Sequence, residues 1–119
     1  MAITFTSGIS FSGGIDFTTE TPQNTAAWFG GGGPGPVSTV DRITFATDTA
    51  IATVRGPLSL ARYGLAAAGN TTDGWFGGGG PGPVSTVDRI TYATDTAIAS
   101  GRGPLSLARY SLSAAAGVQ

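Results

Sequence analysis

The 119-residue sequence predicts an all-β protein built from repeated strand units, and three observations carry that reading. Twenty glycines and seven prolines punctuate short stretches rich in Val, Ile, Phe and Thr, the pattern of short strands joined by tight turns. Only 11% of the residues are charged and the mean hydropathy is positive, which argues against a disordered chain. The third is an internal repeat. A shift of 47 residues places Trp28 on Trp75, and 28–68 then matches 75–115 except at Phe45/Tyr92, Thr53/Ser100, Val54/Gly101, Gly64/Ser111 and Ala66/Ser113. Near identity of this kind requires two nearly equivalent environments.

Composition removes several function classes. Six arginines, no lysine and a net charge of −1 give no basic patch for a phosphate backbone, so nucleic acid is not an expected partner. With neither cysteine nor histidine, disulfides, thiol catalysis, the usual zinc sites and any imidazole base are excluded. No apolar run approaches the roughly 20 residues that span a bilayer, and MAITFTSGIS lacks the pattern of a secretion signal.

Residues 1–20 contain three hexads, ITFTSG, ISFSGG and IDFTTE. Six is even and strand side chains alternate with period two, so Ile3, Phe5, Ile9, Phe11, Ile15 and Phe17 share one face of an extended chain. A lone strand has nothing to bury that face against. Three copies around a threefold axis would bury it as a stalk, while local hairpins bending at Ser7-Gly8 and Gly13-Gly14 are the alternative. Residues 21–27 read as a linker.

Within the repeat, four strands are expected. TTDGWFGGG, at 71–79, ends in glycines that admit close backbone approach. PGPVS is a turn, because its prolines fix φ and remove donors. TVDRITFAT alternates Val40, Arg42 and Thr44 against Asp41, Ile43 and Phe45; AIATVRG and LARYGLAAAGN follow. Four short strands in a period in the forties are the pattern of a β-propeller blade.

Read from Pro57, the order is Arg62, a small apolar strand at 64–68, a turn, aromatic residues running into a glycine doublet at 75–78, and a strand at 88–92. This resembles the kelch repeat over about three quarters of the chain. Kelch repeats carry a tryptophan after the aromatic-strand turn, whereas Ala50, Ile51, Ala97 and Ile98 stand in that region here. The resemblance implies a propeller. Some kelch-like propellers are copper oxidases, but those need histidine ligands, and no cofactor is expected.

The phase of the repeat gives the organisation. In kelch order the chain holds three strands of one blade (28–56), a complete blade (57–103) and the first strand of a further blade (104–119). An orphan strand exposes unpaired backbone groups. The fragments at the two ends complement each other, so the expected fold is two kelch-like blades per chain, closed into a propeller when 104–116 of each copy completes the blade of the next. Rings hold about four to eight blades, so dimers, trimers and tetramers are admitted; the hexads favour a homotrimer of six blades, a homotetramer coming next. Leu105, Leu107, Leu112, Ala114 and Phe29 join the hexad residues as the expected oligomer interface.

Signals for chemistry are sparse. GGGGPGP lacks the Lys-Ser/Thr ending of a phosphate loop, and Asp41 with Asp48 is an ordinary acid pair rather than a glycosidase signature. Asp48 and Asp95, in ATDT, are read as turn-formers. Arg62 and Arg109 are read as inter-blade clamps, with anion binding as the functional alternative. Trp28, Trp75, Tyr63 and Tyr110 are read as blade packing, with sugar stacking as theirs.

The hexads and the repeat also resemble structural proteins of tailed bacteriophages, particularly those of marine cyanobacteria. That resemblance implies a non-enzymatic virion surface or fibre component, with other virion proteins reached through the N-terminus and a host-surface glycan as a further partner. A lectin-like receptor-binding ring with one weak site per blade, an engineered or excised propeller fragment and a small hydrolase are the alternatives.

Overall fold

The computed structural model describes residues 24–118 as two antiparallel sheets and no α-helix. The hexad residues Ile3, Phe5, Ile9, Phe11, Ile15 and Phe17 lie outside the described residues. The first sheet holds β1 (Ala26–Gly30), β2 (Val40–Thr44) and β3 (Thr53–Arg55) in sequence order. The second holds β4 (Ala66–Gly69), β5 (Asp73–Gly77), β6 (Val87–Thr91) and β7 (Ser100–Arg102), also in sequence order. Each is an antiparallel meander.

The two repeats fold alike. Trp28 stands opposite Arg42 and Trp75 opposite Arg89, while Val40 faces Arg55 as Val87 faces Arg102. The strand after the PGPVS turn ends sooner than its alternation suggests, because Phe45–Thr47 and Tyr92–Thr94 form single 3-10 turns. The glycine runs close the hairpins. Gly31 (φ +73°) and Gly78 (φ +72°) donate to the carbonyls of Thr39 and Thr86, and a Cβ at either would come within 2.7 Å of the carbonyl of Arg62 or Arg109.

After each sheet the chain runs back along its own PGPVS loop. Leu58 N donates to Ser38 O and Arg62 N to Val37 O; one repeat later Leu105 N donates to Ser85 O and Arg109 N to Val84 O. Beyond this point the repeats diverge. Residues 66–69 pair with β5 as an edge strand of the second sheet, whereas 113–116, the same segment one repeat later, form no strand and are exposed.

The core lies between the sheets. Val40, Leu58, Phe76, Ile90 and Ala99 form one buried cluster against which Trp28 and Leu65 pack. It draws on both sheets and on the connecting segment, so burial of apolar surface joins them.

Candidate functional site: the junction between the sheets

The most concentrated polar chemistry of the described residues lies where the two sheets meet. Asp95, at the end of the second 3-10 turn, is 3% exposed and points into the first sheet. Trp28 Nε1 donates to its Oδ2 at 2.8 Å and Arg42 Nη1 to the same oxygen at 3.2 Å, while Arg55 Nη2 donates to Oδ1. Burial pushes the carboxyl up, but the hydrogen bonds from Arg55 and Trp28 and the charges of Arg55 and Arg42 outweigh it, leaving Asp95 below the usual carboxylate range. The ATDT carboxylate, expected to serve its own turn, instead serves the neighbouring sheet.

Main chain and aromatics close around this ion pair. Gly56 N donates to Asp95 O and Ala99 N to Pro57 O. A Cβ at Gly56 would overlap the Ala97 carbonyl, so only glycine fits. The Tyr92 ring stacks on Trp28 with centroids 4.1 Å apart and planes 13° from parallel.

A second ion pair lies deeper. Arg62 and Asp88 are both 0% exposed, with Nη2 donating to Asp88 Oδ2 at 3.1 Å and to the carbonyl of Phe76 at 2.9 Å. Asp88 also accepts from Ser59 N and Ser59 Oγ. Burial pulls the Arg62 guanidinium below its ordinary value, against the opposing charge and hydrogen bond of Asp88. Arg62 thus ties the connecting segment, held by its backbone to the first sheet, to the second sheet through its side chain.

The other sequence-selected residues are less engaged. Tyr63 bridges its backbone to Gly80, and Trp75 is half-buried on β5. Arg109 and Tyr110 are exposed, as are Leu107 and Ala114, while Leu105 and Leu112 are half-buried. Phe29 is 59% exposed although its repeat mate Phe76 is 5% exposed. Sequence reasoning missed Asp95, Arg42, Arg55 and Asp88 as a cooperating set, because their partners lie 26 to 67 residues away. One signal was present: every donor and acceptor of the junction occurs in both repeats.

Two openings flank the inner edge of the first sheet. A groove of about 310 Å³ lies between Ala26, Ala27 and Trp28 of β1 and Ala67, Ala68 and Gly69 of β4, and another of about 380 Å³ reaches Phe29, Gly30 and Leu65. Neither brings together acids or nucleophiles suited to catalysis, and no cluster of three metal-ligating side chains occurs among the described residues. No protein-family model matches this chain, and no curated protein matches it either.

Proposed function

We propose that this chain is a non-enzymatic structural building block that closes a kelch-like β-propeller from identical copies, a trimer of six blades, on the surface or fibre of a phage virion. Each copy supplies its C-terminal segment as the missing inner strand of the next copy's three-stranded blade. The virion setting rests on the resemblance of the hexads and repeat to phage structural proteins, and the trimer on the shared face of those hexads.

A compensated difference between the repeats carries the reading. In the complete blade the Tyr92 hydroxyl lies over Gly69 and Gly74, where a Cβ would press against it. One repeat earlier the ring is Phe45, which has no hydroxyl, and the two glycines become Ala27 and Ala116. Two methyls thus replace one hydroxyl. Ala27 lies on the edge strand β1, but Ala116 is in the exposed C-terminal segment. Ala116 of another copy, seated beside β1 as Gly69 sits beside β5, completes the exchange.

Native mass spectrometry of the full chain is expected to give three chains per particle, and a chain ending at Gly103 to give monomers. A full chain that stays monomeric at micromolar concentration overturns the proposal.

A further inference from the structure

We infer that the surface joining one copy to the next repeats the internal junction, with Asp48 of one copy entering the socket formed by Trp75, Arg89 and Arg102 of its neighbour. This rests on the ring reading above and names the groups that hold the ring shut.

The socket is already built. Trp28, Arg42 and Arg55 grip Asp95 inside the chain; Trp75, Arg89 and Arg102 occupy the same strand positions in the same register on the second sheet. Beside its arginines stands Asp73, where the first sheet has Ala26. Asp73 lies 3.7 Å from Arg89 Nε and accepts hydrogen bonds from Thr72 and Thr91. That leaves the Arg89 Nη groups and the exposed Arg102 without an ion-pair partner among the described residues.

The plug is built as well. Asp48 ends its 3-10 turn at φ −73°, ψ −3°, as Asp95 does at φ −70°, ψ −2°, so the carboxylate leaves an equivalent turn. Asp48 is exposed and makes no ion pair among the described residues. Phe45, 51% exposed, stands where Tyr92 stacks on Trp28 and would cover Trp75 of the neighbouring copy.

Gly103 adds an independent mark. Its repeat mate Gly56 must be glycine because Ala97 sits against it, yet nothing lies within 4 Å of a Cβ built at Gly103. A neighbour docked as the second sheet docks on the first brings the Ala50 carbonyl to that spot. The same docking sets Arg109, exposed here, against the neighbour's Asp41, as Arg62 is set against Asp88, and covers Phe29 as Phe76 is covered.

Such a contact is heterologous, because plug and socket are different residues: Asp48 follows β2 of the first sheet, while Trp75, Arg89 and Arg102 lie on the second. The test uses full chains carrying Asp48→Ala or Arg102→Ala, both exposed positions with no ion pair inside the chain. Native mass spectrometry across a dilution series should show each variant dissociating at concentrations at least about thirtyfold above wild type, as expected for truncating one partner of a buried charge pair. An equimolar mixture should form one-to-one heterodimers, because it contains one intact plug and one intact socket. Gly103→Ala should weaken assembly while leaving the circular dichroism of the monomer unchanged. If both charge variants assemble as wild type while the chain ending at Gly103 does not, the latch is wrong and the ring stands. A mixture that yields no heterodimer overturns the head-to-tail pairing. A monomeric wild type overturns ring and latch together.

Discussion

Replacing Arg62 by Met removes a guanidinium while keeping most of its apolar stem, so packing is largely preserved and the charge is isolated. Two groups are affected. Asp88, 0% exposed, keeps its bonds from Ser59 but loses its only cation among the described residues, and the buried Phe76 carbonyl loses a donor at 2.9 Å. Breaking a buried pair from one side costs about 3–5 kcal/mol, a large part of the roughly 5–15 kcal/mol that holds a small domain together. Removing the second charge relieves much of that cost. The double variant Arg62→Met/Asp88→Asn should therefore lie within about 1–2 kcal/mol of wild type, a strongly non-additive cycle. Urea unfolding at neutral pH, followed by tryptophan fluorescence, reads both sheets, since Trp28 sits in the first and Trp75 in the second. Arg109→Met is the matched control: the same residue one repeat later, exposed, and expected to change the unfolding of the dilute monomer by less than about 0.5 kcal/mol. If Arg62→Met costs under about 1 kcal/mol, or no more than Arg109→Met, the buried pair is not what joins the sheets.

Two further predictions concern the same junction. The Asp95 carboxyl is held below its unfolded value, so its contribution is complete above about pH 3.9 and is lost as pH falls through the lower folded value. Thermal melts of wild type and Asp95→Asn should differ at neutral pH, and the gap should narrow as the pH falls below about 3.9; a gap that does not narrow in acid would show that the charge is not the source. Gly56→Ala forces a methyl into the Ala97 carbonyl and should destabilise the chain by at least about 1–3 kcal/mol. Gly101→Ala, with nothing within 4 Å of the new methyl, should stay within about 0.5 kcal/mol of wild type in the same chemical denaturation.

The repeating strands were legible because their signals are local: alternation located β2 and β6, and glycine runs located the ends of β1 and β5. The orientation of those strands was not legible. On β6 the buried face carries Asp88 beside Ile90, and nothing near Asp88 in sequence announces Arg62, 26 residues upstream. Asp95 shows the same limit, since ATDT has the composition of a self-contained turn and its three donors come from the other sheet. Phe29 and Phe76 set the limit most sharply. Their flanking sequences match from the tryptophan onward, yet one is open and the other closed, because Phe76 packs against Val40, Leu58 and Gly30 of the first repeat and no described residues cover Phe29 in the same way. Local sequence cannot encode that difference, because the covering residues come from the other repeat.

None of the residues that differ between the copies is a donor or acceptor of the junction. Thr53/Ser100 and Val54/Gly101 lie on the outer edge strands β3 and β7 and are exposed. Gly64/Ser111 share a left-handed backbone at φ +66° and +54° and lie next to each other, Ser111 N donating to Gly64 O. Phe45/Tyr92 keeps the ring that stacks on tryptophan and changes only the hydroxyl, in step with the alanines that replace two glycines. Every junction group is the same in both repeats: the tryptophan, both socket arginines, the plug aspartate, the glycine pressed against it and the Arg-Asp pair beneath. Inside one chain that set is engaged once, around Asp95 and Arg62, while Asp48, Arg102 and Arg109 stand exposed.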